Sequence, residues 1–413
     1  MTIPIFLRPL TRIYFGRPGS LPAGEAHVGE SWFPPPISAF QGMIRTRLLD
    51  EAGVFSPPDR VRSLVGPPDS LPGGWQLKGP FPGRIQQAGM EMWLPAPAVL
   101  LNGWNDGKGP VVAEILRERV GGLLMDDQVP SVELPGHDRY LAGAPASGHG
   151  KPAGGWLHCR NMLHLLANQP NNMEQDGYSP DMPPFVRREQ HTGLAREKSH
   201  DNDGVHRSGQ AVEGMLYTLS MLRFAPDSGL CGWFSGDLDP GISVNALKHG
   251  VVTAGKKGGM IAFNDTAPVD PAWNDLAAGK HLFRPEKERC IRIWVILMTP
   301  GRWNTDDGLR QKLERALDRP GIDVSVLTMF SPGLISLGGF SLAGRRPRPV
   351  RYWYGAGTSL LVELKTNKET DLVGLVREKL NNKCLLASRQ ELPFGYGHVL
   401  AALHKDTGGN DGN

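Results

Sequence analysis

The chain has 413 residues, of which 40% are hydrophobic and 21% charged, an ordinary soluble composition that is longer than one core usually spans. Its formal net charge of +3 does not by itself indicate a polyanion partner, so any nucleic-acid role must rest on where the basic residues cluster. The 52 glycines and 36 prolines carry no fibrous period and predict many turns and loops; the four cysteines, Cys159, Cys231, Cys290 and Cys384, have no C-x-x-C spacing and read as reduced, mostly buried thiols.

In chain order, Ile3 to Phe15 reads as a strand, and its Pro4, Arg8, Pro9 and Arg12 interrupt any signal-peptide core. Nothing later approaches the length of a membrane span, so a cytoplasmic protein without membrane contact is expected. Prolines 34 to 36 start a helix over Ile37 to Leu49, with Ile37, Phe40, Ile44 and Leu48 on one stripe. An insertion at about 53–183 follows, dense in Gly, Pro and Trp, with a helix expected at Val111 to Arg119. A weak strand near Phe185 to Leu194 and a stronger one at Gly214 to Phe224 come next. A short helix at Pro240 to Leu247 and a strand at Met260 to Phe263 complete this half. Asn168 to Pro184, Lys198 to Gln210 and the tail after Lys405 are polar and are expected to be mobile.

The last third is clearer. Cys290 to Thr299 is a strand stopped by Pro300-Gly301, and Asp306 to Leu317 is a helix with Leu309, Leu313 and Leu317 four apart. Strands at Val324 to Met329 and Ser359 to Leu364, a helix at Asp371 to Leu380 and a final strand at His398 to Leu403 follow. The order β-α-β-β-α-β is the split-βαβ or ferredoxin-like plan, and the first half fits the same plan with large insertions. The expected fold class is therefore α+β with two ferredoxin-like (RRM-like) domains, 1–268 and 269–405, and a disordered tail at 406–413.

Chemistry narrows by type. No H-E-x-x-H or paired Cys/His spacing is present, and His158-Cys159, as sequence neighbours, point apart on most backbones, so no metal or cofactor is expected. No G-x-S-x-G elbow supports a nucleophilic triad. Gly255-Lys256-Lys257-Gly258-Gly259 lacks the ending of a phosphate-binding loop; a lysine-bearing hairpin turn and a cationic loop against phosphate both fit. Gly344 to Gly357 sets Arg345, Arg346, Arg348 and Arg351 beside Tyr352, Trp353 and Tyr354, a pattern equally suited to gripping unpaired RNA and to a solvated hairpin. His191, Arg196, Lys198 and Arg207 form a second cluster on a polar loop. Arg45 and Arg47 flank the apolar stripe of the first helix, where snorkelling over core is the common role. Gly395 and Gly397, around Tyr396 and before His398, permit either a backbone approach to a ligand or a plain turn. His27 is a loop histidine with the place, but no second base, for general acid–base work.

Five segments, "FLRPLTRIYFGRPGS", "GESWFPPPISAFQGMIRTRLL", "HTGLAREK…EGMLYTLSMLRF", "LGGFSLAGRRPRPVRYWYGAGTSL" and "FGYGHVL", occur in order along nearly the whole chain. With them the chain resembles the RAMP-superfamily subunit of type III-B CRISPR effector (Cmr) complexes that holds the guide-RNA 5′ handle, the third subunit of the Cmr set. The resemblance implies two packed ferredoxin-like RAMP domains and a non-catalytic, cytoplasmic role in antiviral defence. It also implies contact with the 5′ handle of the guide (CRISPR) RNA, with the large palm-domain subunit and with backbone RAMP subunits. It makes Arg17, Trp32, Arg45, His191, Arg196, Arg346 and the loop Gly395 to His398 handle-contact candidates. The lysine turn departs from the more acidic loop expected there, which leaves the role of Lys256 and Lys257 open. Two rival readings remain: a RAMP endoribonuclease that processes CRISPR repeat RNA with His27, and a structural adaptor without RNA contact.

Overall fold

The computed structural model describes residues 1–16, 28–87, 89–101, 111–112, 114–118, 139–143, 152–196, 211–265, 268–283, 288–304, 306–341 and 346–404. It is a mixed α+β structure built on antiparallel sheets, with six helices among the described residues. In the first half, β1 (Thr2–Pro9), α1 (Ile37–Glu51), α2 (Pro58–Val65), β2 (Gln76–Gln86), α3 (Cys159–Leu166), β3 (Ser228–Ser235) and β4 (Gly259–Asn264) carry the framework. Its sheet runs β2-β3-β1-β4, every neighbour antiparallel, and is widened to eight strands by short additions at both edges. After α4 (Pro271–Ala278), the second half supplies β5 (Glu288–Leu297), α5 (Asp306–Leu317), β6 (Ile322–Phe330), β7 (Ser359–Thr370), α6 (Leu372–Lys379) and β8 (His398–Leu403). These strands pair in the order β6-β7-β5-β8, again antiparallel throughout.

Burial on both faces explains why several strands read as continuous apolar runs. In β1, Ile3, Ile5 and Leu7 meet Phe40, Met43, Ile44 and Leu48 of α1, while Phe6 turns to the opposite core. In β8, Val399, Ala401 and Leu403 pack with the leucines of α5 and α6, while Leu400 and Ala402 turn the other way. Phe6, Phe81 and Trp233 of the first sheet and Ile296, Leu400 and Ala402 of the second thus share one core, which also takes α3 and α4. The two sheets are joined through this middle layer. At its centre Trp273 of α4 stacks on Trp233 at 4.7 Å and 20°.

Four expectations change. The strands at 185–194 and 214–224 exist, as Val186–Arg196 and Ala211–Phe224, but they pair with each other in a hairpin outside the eight-stranded sheet. The inner strands of that sheet are β2 and β3, and β2 lies inside the stretch read as insertion. The helix expected at Val111 to Arg119 gives way to strand at Val111–Val112 and Glu114–Glu118, the latter paired antiparallel with Arg139–Gly143. The helix at Pro240 to Leu247 shrinks to a 3-10 turn, Val244–Leu247. The segment 168–184 holds two 3-10 turns, and the Asn161 amide fixes both backbone groups of Glu174, so expected mobility gives way to local order. The stretch 198–210 and the tail lie outside the described residues.

Removing an aromatic anchor from a shared core costs both transfer energy and a cavity. Trp273→Ala is expected to destabilise the chain by about 3–5 kcal/mol, read as a fall in the urea midpoint. An unchanged midpoint would show that the sheets are not joined through this stack.

Candidate nucleic-acid interface

The glycine-aromatic turn lies in the seam between the sheets. Thr299 Oγ1 donates to the Gly395 carbonyl (2.6 Å) and accepts from the His398 N–H (2.9 Å). The Gly397 N–H donates to Pro300 (2.8 Å) and its carbonyl accepts from Leu385 (2.8 Å). Both glycines have positive φ; a Cβ at Gly395 would meet the Leu77 carbonyl at 2.9 Å, and one at Gly397 would meet the Leu386 backbone at 2.4 Å. Glycine is needed here for close approach to the protein's own backbone. The N–H groups of Gly395, Gly397 and His398 are already engaged, which corrects the expectation that they face RNA.

His398 is corrected for the same reason. It is fully buried beside Phe81 and Trp273. Lys78 Nζ donates to Asn382 Oδ1 (3.0 Å), which also pairs with His398 Nε2 (2.9 Å), so Nε2 carries the ring proton. Burial, with the nearby Lys78 cation second, holds the His398 pKa well below the usual histidine value.

The turn presents two aromatic rings to a cleft of about 580 Å³. Phe394 and Tyr396 form one side, with Tyr396 stacked on Trp353 at 4.4 Å. From α1 come Ser38 and Gln41, three residues apart and so on one face. Leu337, Pro347, Arg348 and Asp69 also line the cleft. Gln41 is only 4% exposed, yet its Oε1 has no hydrogen-bond partner. One turn further along α1, Arg45 lies 5.7 Å from the Phe394 ring centre and donates to the Ser70 carbonyl, while its Nε is unpartnered. Burial and then Arg348 lower the Arg45 pKa to about 10, partly offset by Asp69, so Arg45 keeps its charge at neutral pH. Two guanidinium groups, an unsatisfied amide and an aromatic wall therefore converge.

Leu337 also borders a second cleft of about 530 Å³, lined by Trp32, Phe33, Pro34, Pro36, Trp156 and Leu334 among others. Leu334 and Leu337 bound the strand Leu334–Leu337, which pairs with Arg351–Tyr354 in a two-stranded arm. The arm thus stands between an apolar and a basic cleft.

The structure brings Arg45, Arg348 and Tyr396 together and places Trp32 in the neighbouring cleft. His191 is exposed on its hairpin and lines neither cleft. Lys256 and Lys257 occupy a hairpin turn between Val251–Ala254 and β4; Lys257 Nζ bonds the Tyr217 hydroxyl (2.9 Å) and covers its ring at 4.7 Å. Arg196 and Arg346 lie in strands but their side chains are outside the description; Arg17, His27, Lys198, Arg207 and Arg345 lie outside the described residues. In the arginine-rich segment, Arg351 is paired with Glu391 (2.9 Å) and Tyr354 stacks on Trp303, leaving Tyr352, 69% exposed, as the free ring. Sequence reasoning missed Ser38, Gln41 and Phe394. The one available signal was a glutamine interrupting the apolar stripe of α1.

The family model of CRISPR-associated protein (Cas_Cmr3) matches residues 5–403. The chain belongs to this family, the Cmr3 subunit of type III-B systems. No curated protein matches it. Among solved structures, a chain of the cryo-EM structure of the type III-B Cmr-beta bound to cognate target RNA matches at 11% identity and TM-score 0.46, covering 98% of this chain and 99% of that one. A chain of the Cmr-beta structure bound to cognate target RNA and AMPPnP matches at 11% identity and TM-score 0.42, covering 87% and 86%. No helix among the described residues of this family member is long and apolar enough to cross a membrane.

The buried histidine has a measurable consequence. Above about pH 6.5 the imidazole is neutral in both folded and unfolded chains. Below that value the unfolded chain takes up a proton that folded His398 accepts only at its lower pKa, so stability falls as pH drops through this window. His398→Gln is expected to lose less of its urea midpoint than the parent between about pH 7.5 and about pH 5.5. The effect is partial, because burial lowers His281 in the same way. Parallel losses in parent and variant would exclude His398 as a source.

Proposed function

We propose that this chain is a non-catalytic RNA-binding subunit of a type III-B CRISPR ribonucleoprotein in the cytoplasm. It holds the 5′ handle of the guide RNA as a single strand, docks on the large palm-domain subunit and meets the backbone RAMP subunits. The meeting of Arg348, Gln41 and Tyr396 in one cleft, with Arg45 beside it against the Phe394 ring, is the observation that carries the reading. Guanidinium groups suit phosphate oxygens, a buried amide lacking a partner suits a base edge, and aromatic faces suit unpaired bases. Trp32 and the proline-lined cleft across the arm extend the path with an apolar platform. Both halves are read as ferredoxin-like domains, 1–268 and 269–405, because each sheet has the second-third-first-fourth strand order. The cleft binds and orients RNA, and nothing in it is arranged as an acid–base pair.

Fluorescence anisotropy of the purified chain with repeat-derived handle RNA tests this. Affinity is expected to fall with rising salt, and Arg348→Glu to weaken binding and reduce the salt slope by about 1. Gln41→Leu, near in size, is expected to cost about 1–3 kcal/mol against handle RNA with a smaller effect on scrambled RNA. Binding that ignores both substitutions would leave the cleft without its RNA. Site-specific cleavage of the same RNA without metal would overturn the non-catalytic reading.

A further inference from the structure

Away from both clefts, the N-terminal ends of α3 and α4 converge on a buried group of ligand-type side chains. His158 caps α3, its Nδ1 accepting from the Arg160 N–H at 3.3 Å, and Cys159 is the first, fully buried residue of that helix. Asp270 caps α4, with Oδ1 accepting from the Ala272 N–H at 2.8 Å, and is 6% exposed. One ligand atom from each of His158, Cys159 and Asp270 lies within 4.8 Å of the other two. The sequence argument that neighbouring side chains point apart fails because the extended cap conformation of His158 (φ −57, ψ 144) leads straight into the helical conformation of Cys159. Glu91 adds a second carboxylate, 3.8 Å from His158 Nε2.

The only cation paired with Asp270 among the described residues is Arg160, at 3.5 Å and with its side chain half exposed. Glu91 is held by Arg84 and Gln86 from the side away from the helices. An imidazole, a thiol and a nearly buried carboxylate are the donor set that tetrahedral zinc takes, and carboxylate oxygen completes many such sites.

We propose that His158, Cys159 and Asp270 bind one zinc ion that staples the Trp156–Leu166 segment to α4. On binding, the Cys159 S–H bond breaks, a Zn–S bond forms and the proton leaves to solvent. Zinc bond lengths of about 2.0–2.3 Å suit ligand atoms that already lie within 4.8 Å of one another. Either ring nitrogen of His158 can serve as ligand; coordination replaces its bond to the Arg160 N–H or its contact with Glu91. The N-terminus of α3 favours the Cys159 thiolate.

The test uses the full chain purified without chelator, loaded with zinc chloride, desalted and measured by inductively coupled plasma mass spectrometry. About one zinc per chain is expected from a single site, and cobalt in its place should give a thiolate-to-cobalt charge-transfer band. Cys159→Ser and Asp270→Asn should each weaken zinc by at least about 10-fold, since even outer partners of a metal site matter that much. Asparagine retains the helix cap and so separates ligand loss from misfolding. Cys290→Ser, at an exposed thiol on β5, should leave metal content unchanged. A zinc-loaded chain without metal, or zinc retained at parental affinity by both ligand variants, overturns the site. If neither variant folds, a cobalt-loaded parent without the charge-transfer band does the same.

Discussion

Thr299 is the point on which the two halves depend. Its hydroxyl has one proton to give and lone pairs to receive, and it uses both within one turn, toward the Gly395 carbonyl and the His398 N–H. It stands where β5 leaves the sheet, so the turn is fixed to the second sheet before β8 begins. The turn in turn lies against β2 of the first sheet, where a Cβ at Gly395 would meet the Leu77 carbonyl, while one at Gly397 would meet the Leu386 backbone of its own half. A neutral hydrogen bond contributes only about 0.5–1.5 kcal/mol net, but a buried donor left unpaired costs more. The arrangement is therefore held less by the strength of any one bond than by the cost of any alternative position for the turn.

The same seam contains polar groups that a purely apolar core would avoid. Lys78 reaches from β2 to the Asn382 carbonyl and side chain, and His398 joins the same amide oxygen. Burial lowers the pKa of both ionisable partners. Such a network is costly to bury and tolerates one register only, because a shift of either sheet would strand a cation and an amide. Hydrophobic contact between Trp233, Trp273 and Phe81 supplies the cohesion, and the polar set specifies the alignment. The alignment matters for the cleft, since Gln41 and Arg45 belong to the first half while Arg348, Phe394 and Tyr396 belong to the second.

Much of the second half was legible because each element announces its period. The leucines of α5 recur every four residues and all three are buried, and the apolar run of β5 ends where Pro300 and Gly301 stop it. The stripe on α1 was legible for the same reason. In the first half, β2 was not, since its sequence QLKGPFPGRIQ places two glycine–proline pairs where a strand usually has neither. Its partner β3 absorbs that irregularity with a register shift between Cys231 and Trp233. The more regular hairpin at 186–224 drew the assignment instead, although it pairs elsewhere. The cleft was legible in pieces: the arginine–aromatic segment and the glycine turn were both visible, but their functional division was not. Only the tertiary fold shows that the turn's backbone is consumed internally while Phe394 and Tyr396 line the cleft, or that Gln41 is buried with its Oε1 unpartnered.

The arginines show how such a division arises. Glu391 accepts from both Arg302 and Arg351 on one oxygen, and its other oxygen accepts from the Ser388 N–H. Arg302 also lies over Trp353 at 5.4 Å, fixing the ring on which Tyr396 stacks. Arg47 is similarly occupied by Asp50, Glu51 and the His249 carbonyl. These three guanidinium groups are taken up by carboxylate partners, whereas Arg45 is held below its ordinary pKa by burial and then by Arg348, with Asp69 as a partial offset. An anion entering between Arg45 and Arg348 relieves their repulsion in a partly desolvated setting, where each contact is worth more than it would be on an open surface. Binding through a local, partly buried pair of cations is thus compatible with a chain whose overall charge is close to neutral. In the RNA-binding reading proposed above, a phosphate at these arginines leaves the adjoining base beside Phe394, Tyr396 and Gln41, which line the same cleft.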